Sequence, residues 1–176
     1  MLASYLLTTI TAFASCISAA CTTAERLTDL SSVIFAYNQD AAGATAEAFK
    51  KVPFGAPDIN GVGLITIFAN GAPVGVPAAL TGNGGYAFGV ASRQLFSSVT
   101  GMGFVDFPAN GTSALQTNVT LGVRSEVPVP VTFFATVYLD HAANCRLPSI
   151  RAIATIPTEV VGLVIHPPGL PNAFKE

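Results

Sequence analysis

The chain has 176 residues, enough for one domain with a real hydrophobic core that needs no metal to hold it. Charged residues are 10% of the chain and apolar residues 51%, with a net charge of −2; an ordinary soluble domain is about 25% charged. That balance excludes a basic nucleic-acid surface, a polybasic membrane patch and intrinsic disorder.

No charged side chain occurs before Glu25. Residues 2–17 form an apolar run that ends in the small residues Ser18-Ala19-Ala20, the pattern of a secretory leader cut before Cys21. The segment 1–20 is therefore read as a signal peptide and 21–176 as a single secreted domain. A cut after Ala14 fits the same rule, and a retained run would instead serve as a membrane or filament helix. Membrane attachment follows only if residues 1–20 stay on the chain. With Cys16 removed, Cys21 and Cys145 remain as an even pair in an oxidising compartment, which predicts a disulfide between them.

Residues 21–51 carry the helical signals. Thr22-x-x-Glu25 matches a capping box, and Leu27, Leu30, Ile34 and Tyr37 follow at spacings of three and four. The stretch 33–37 would also serve as a strand. Residues 40–51 open with Asp40 and close with Lys50-Lys51 before Pro53, a charge order that suits a short helix.

From Asn60 onward the punctuation is that of a β protein. Asn-Gly pairs at 60–61, 70–71, 83–84 and 110–111 adjoin short apolar runs at 64–69, 74–80, 86–91, 95–99 and 104–107. Gly101-Met102-Gly103 reads as a turn or bulge. Next come two central segments. Leu115, Thr117, Val119, Leu121 and Val123 alternate with Gln116, Asn118, Thr120, Gly122 and Arg124, and 131–139 is β-branched and aromatic. Runs at 150–156 and 160–165 follow, and the Pro-rich tail from Pro167 is expected to lie extended. Short strands spaced near ten residues predict an all-β domain: an antiparallel β-sandwich, Ig-like or jelly-roll in type, with a short helical segment near the mature N-terminus.

Few residues propose chemistry. Asn110-Gly111-Thr112 and Asn118-Val119-Thr120 are sequons, so Asn110 and Asn118 are candidate N-glycosylation sites in an exported chain. Asp140-His141-x-x-Asn144-Cys145 gathers reactive side chains, but a bridged Cys145 is neither ligand nor nucleophile. The other histidine, His166, adds too little for a metal site of three or four ligands. No pair of carboxylates is spaced for acid–base work. The reading is of a non-enzyme with no cofactor and no metal, and its twelve Phe residues are assigned mainly to the core.

A surface with 18 charged groups must otherwise be covered by glycans or by other subunits. The leading expectation is an extracellular, N-glycosylated structural protein of a fibre, coat or matrix. It would act by protein–protein packing as a homo-oligomer or polymer, with strand addition at an exposed sheet edge. The alternative is an extracellular carrier or binding module for an apolar small molecule, held in an interior lined by Phe.

Overall fold

The computed structural model describes residues 20–123, 127–165 and 167. Most of the proposed 1–20 leader and the tail after Pro167 lie outside the described residues. Among those described, no helix is long and apolar enough to cross a membrane.

The domain opens with α1 (Thr23–Tyr37) and α2 (Ala42–Lys50). Thr22 caps α1, and its hydroxyl accepts the Glu25 amide proton while the Glu25 carboxylate accepts from the Thr22 N–H at 2.8 Å. This reciprocal box satisfies two amides the helix itself leaves free. Then come β1 (Val62–Ala69), β2 (Val76–Thr81), α3 (Gly82–Ser92), β3 (Phe96–Phe107), β4 (Thr112–Val123), β5 (Val127–Asp140), β6 (Ser149–Thr155) and α4 (Val161–Ile165).

The six strands form one sheet in the order β2-β1-β6-β5-β4-β3. All neighbours are antiparallel except β1 and β6, which run parallel with Leu64 opposite Ser149 and Ala69 opposite Ala154. Asn70 and Gly71, both with positive φ, turn β1 back toward β2. A 3-10 turn over Pro108–Asn110 and Gly111, at φ 63°, join β3 to β4. The register of β3 against β4 slips between Gly101 and Gly103, a bulge in a twelve-residue strand.

The second layer consists of helices, not of a second sheet. α1 lies on β3 and β4, α3 lies on β1 and β2, and α2 touches both helices. The all-β sandwich expectation is therefore wrong: the architecture is α+β, a mixed sheet wrapped around helices. Two runs assigned to strands caused the error. Residues 86–91 fall in α3 and 161–165 in α4. The helical region near the N-terminus is also longer than a short segment, with 15 residues in α1 and nine in α2.

Alternation along the strands decides what faces the helices. Leu115, Val119 and Leu121 on β4, with Phe133, Ala135 and Leu139 on β5, are buried in the core. Not every Phe joins them, since Phe35, Phe104, Phe107 and Phe134 are exposed.

Candidate functional site

Between the helices and the sheet the core does not close completely. It leaves a cavity of about 120 Å³. The α1 wall is Leu30, Val33, Ile34 and Tyr37; α3 contributes Gly85, Phe88 and Gly89. The floor comes from inward positions of β1, β3, β4, β5 and β6, among them Ile65, Phe96, Leu115, Val119, Phe133 and Ala135. α2 adds Phe49 and α4 adds Val164, so side chains from five strands and four helices converge, with each strand showing every second residue to this face.

Aromatic rings set the shape of the cavity. The Tyr37 ring stands edge-on to Phe49, with centroids 5.0 Å apart, and tilts against Phe96 at 5.7 Å. Phe96 meets Phe133 edge-on at 6.2 Å. Such edge contacts follow the ring quadrupoles and hold the wall in one arrangement. Polar groups are few and already engaged. The Tyr37 and Ser92 hydroxyls share a hydrogen bond of 2.9 Å, and the Thr117 hydroxyl donates to the Ala135 carbonyl at 3.1 Å. Burial pushes the Tyr37 phenol up from its ordinary pKa, and the Ser92 bond only partly opposes it. Among the described residues, no carboxylate, imidazole, thiol or amine lines the space.

The residues singled out in the sequence lie elsewhere. Cys21 and Cys145 are joined in a disulfide that fastens the start of α1 to the loop between β5 and β6. The cluster around them is dispersed into structural tasks. Asp140 accepts from Thr112 and from Arg151, and burial, which would raise its pKa, is outweighed by these bonds and one from Ser149. Asn144 donates to the Pro57 carbonyl. The His141 imidazole is wholly enclosed, with Nε2 3.4 Å from Asp29 Oδ2 and no hydrogen-bond partner on either nitrogen. Among the described residues one group of three metal-ligand side chains occurs, Cys21, Glu25 and Cys145, and its two sulfurs are bonded to each other. Asn110 is exposed at the β3–β4 turn, and Asn118 lies on the outer face of β4. The cavity was not visible in the sequence. Its lining could be grouped by alternation, but the volume left unfilled depends on how the helices dock.

No family model and no curated protein matches the chain. Solved structures do match in shape. A protein of unknown function from Methylobium petroleophilum, with a cystatin-like fold, superposes with a TM-score of 0.54 at 12% identity. The match covers 79% of this chain and 81% of that one. The fold is cystatin-like α+β. A de novo designed protein with a curved β-sheet shares it at 10% identity and TM-score 0.52, over 81% and 93% of the two chains. AclR from Streptomyces galilaeus, which bears a hydroxylase name, does so at 14% identity and 0.50, over 81% and 97%. The cystatin-like fold is thus shared with a protein named as an enzyme, and at these identities the likeness extends to the fold alone.

Proposed function

We propose that this protein binds a small apolar molecule in the cavity between α1 and the sheet and works as a carrier or binding module, without a catalytic step. The observation that carries the reading is the lining: among the described residues 25 line the cavity, and their only side-chain polar atoms, on Tyr37 and Thr117, are already hydrogen-bonded. A cavity with no unsatisfied polar group stays dry, and an engineered apolar cavity of about 150 Å³ takes up benzene. At about 120 Å³ the ligand class is a single small aromatic ring, of the size of benzene or toluene, or a short alkyl chain. Entry is supported on the α1 side, where Val33, Ile34 and Tyr37 are only half-buried.

A hydroxylase name belongs to AclR, and chemistry of that kind needs a group that moves protons or holds a cofactor at the bound molecule. Among the described residues Tyr37 is the one titratable group in the lining, and burial pushes its pKa up so that it keeps its proton. The proposed place of action is outside the cell, after loss of the leader; the Cys21–Cys145 bond is compatible with that compartment. The reading of a structural protein that packs against other subunits draws support from the exposed apolar side chains Met102, Phe104, Val105 and Phe107 of β3.

The test is a thermal melt with and without toluene, repeated on Ala135→Phe. Ala135 is buried in the cavity floor, so the added ring fills the space. Toluene should raise the Tm of the parent protein by ligand linkage and leave that of the variant unmoved. If toluene shifts neither the Tm nor the methyl resonances of Leu115 and Val119, the ligand reading is wrong.

A further inference from the structure

α1 and β3 are clamped to each other at both ends. At one end the Arg26–Asp106 ion pair and the Thr23 hydroxyl join the first turn of α1 to the far end of β3. At the other, Asn38, the C-cap residue of α1, donates to the Val99 carbonyl at 2.7 Å and accepts from the Val99 amide at 3.2 Å. Between the clamps Ile34 of α1 faces Gly101 of β3, and there the strand's register slips.

The slip decides which side chains face the cavity. Val99, Gly101 and Phe104 stand opposite Val119, Thr117 and Leu115, three lining residues of β4. In a regular strand positions 101 and 104 would fall on opposite faces; the extra residue of the bulge puts both on the inner one. β3 therefore shows the cavity a position with no side chain, followed by a phenyl ring. A Cβ on Gly101 would come 3.2 Å from Leu115 Cδ1, 3.5 Å from Phe104 Cζ and 3.8 Å from Ile34 Cγ1. The tip of the Phe104 ring thus hangs over the glycine beside two residues of the lining, while Phe104 as a whole is 48% exposed. Phe96 and Phe133, whose rings also face inward, are buried.

We infer that the apolar ligand reaches the cavity through the gap at Gly101, between the two clamps, and that the Phe104 ring is its door. This rests on the cavity being a binding site. The clamps hold the frame, so passage needs no separation of α1 from the sheet. Much of Phe104 is already in water, so swinging the ring outward gives up only the contacts of its tip. Gly101 leaves the opening that the ring covers, and a larger residue there would narrow it. Such a door sets how fast a molecule enters and leaves. It has little effect on how tightly the molecule is held, because Phe104 stands outside the lining on which the molecule rests.

The experiment is toluene exchange followed by NMR on the methyl resonances of Leu115 and Val119, which gives the association rate, the dissociation rate and Kd. Phe104→Ala should raise both rates by at least about tenfold and leave Kd within about threefold. Gly101→Ala, which narrows the gap, should lower both rates. Phe107→Ala removes an exposed ring of the same strand, opposite Thr112, and should match the parent. Phe104→Leu, a smaller door, supplies the same readout should the alanine variant not fold. If the parent binds toluene and the Phe104 variants exchange it at the parent's rates, the inference is overturned and the binding reading stands. A Kd weakened through faster release alone makes the ring part of the wall and overturns the inference too. A parent that takes up no toluene ends both.

Discussion

Arg26 on α1 and Asp106 near the end of β3 are 80 residues apart in sequence and meet in a two-pronged ion pair, Nε to Oδ1 and Nη2 to Oδ2, both 2.8 Å. Both side chains are almost fully buried. Thr23 adds a third bond to the same carboxylate at 2.7 Å, and Arg26 also donates to the Cys21 carbonyl. The pair therefore locks the first turn of α1 to the far end of the strand whose near end lines the cavity.

The Arg26 hydrogen bond holds the Asp106 carboxyl at about 2, below its ordinary 3.8, despite burial that acts the other way. A carboxyl with a depressed folded pKa stabilises the fold fully above its unfolded value near 4, and that contribution is lost as pH falls through about 2. Acid unfolding should therefore steepen between pH 4 and pH 2, and Asp106→Asn should flatten it there. At neutral pH Asp106→Asn leaves a buried guanidinium without its counter-charge and should cost about 3 kcal/mol. Chemical denaturation of both proteins across that pH range checks both statements.

The Cys21–Cys145 bridge closes a loop of 124 residues. On the chain-entropy model such a closure stabilises by about 4–5 kcal/mol at most. Reduction, or Cys145→Ser with Cys21→Ser, should lower the Tm by roughly 10 °C. The cavity should survive, because neither cysteine lines it. Differential scanning calorimetry with and without reductant measures the first, and toluene binding to the reduced form the second.

Two helical glycines should respond to alanine with opposite signs. Gly43 in α2 is exposed, and a Cβ there meets nothing within 4 Å. Gly43→Ala should stabilise by about 0.5–1 kcal/mol through helix propensity alone. At Gly89 in α3 a Cβ would stand 2.7 and 2.9 Å from carbons of the buried Phe49 ring. That ring stands edge-on to Tyr37 and stacks on Phe54, so it yields only by breaking these contacts. Overpacking of about 1–3 kcal/mol exceeds the propensity gain, and Gly89→Ala should destabilise by about 1–2 kcal/mol. Urea titrations of the two variants decide the signs.

Gly89 also explains where the sequence misled. Four glycines in the eleven residues of α3 make it a poor helix on its own, and Tyr86 to Ala91 has the look of a strand between turns. What makes it helical is long-range: Gly89 admits the Phe49 ring, Gly85 faces Phe54 and Ile65, and Thr81 caps the first turn. The parallel contact of β1 with β6 joins segments about 85 residues apart and leaves no local trace. Features carried by near neighbours were legible. The Thr22–Glu25 box, the alternation of β4 and the irregularity at Gly101–Gly103 all appear in the structure. The sandwich expectation failed because the layer over the sheet is chosen by packing, and strand alternation is silent on whether helices or strands will cover it.

The two sequons are placed for different fates if the chain is exported through a glycosylating pathway. Asn110 closes the 3-10 turn after β3 and is exposed, so a glycan on its amide nitrogen would project into water. Asn118 is half-buried in the middle of β4, directly opposite Phe134 of β5, and its Oδ1 is buried without a hydrogen-bond partner. A glycan there would have to rise between paired strands and over the Phe134 ring. We expect Asn110 to carry the sugar and Asn118 to be largely bare. After expression in a eukaryotic secretory host, Asn110→Gln should abolish the mass released by peptide N-glycosidase, and Asn118→Gln should leave it intact. Equal occupancy of both sites in peptide maps would mean that modification precedes the closing of β4 on β5, and that strand geometry does not govern the choice.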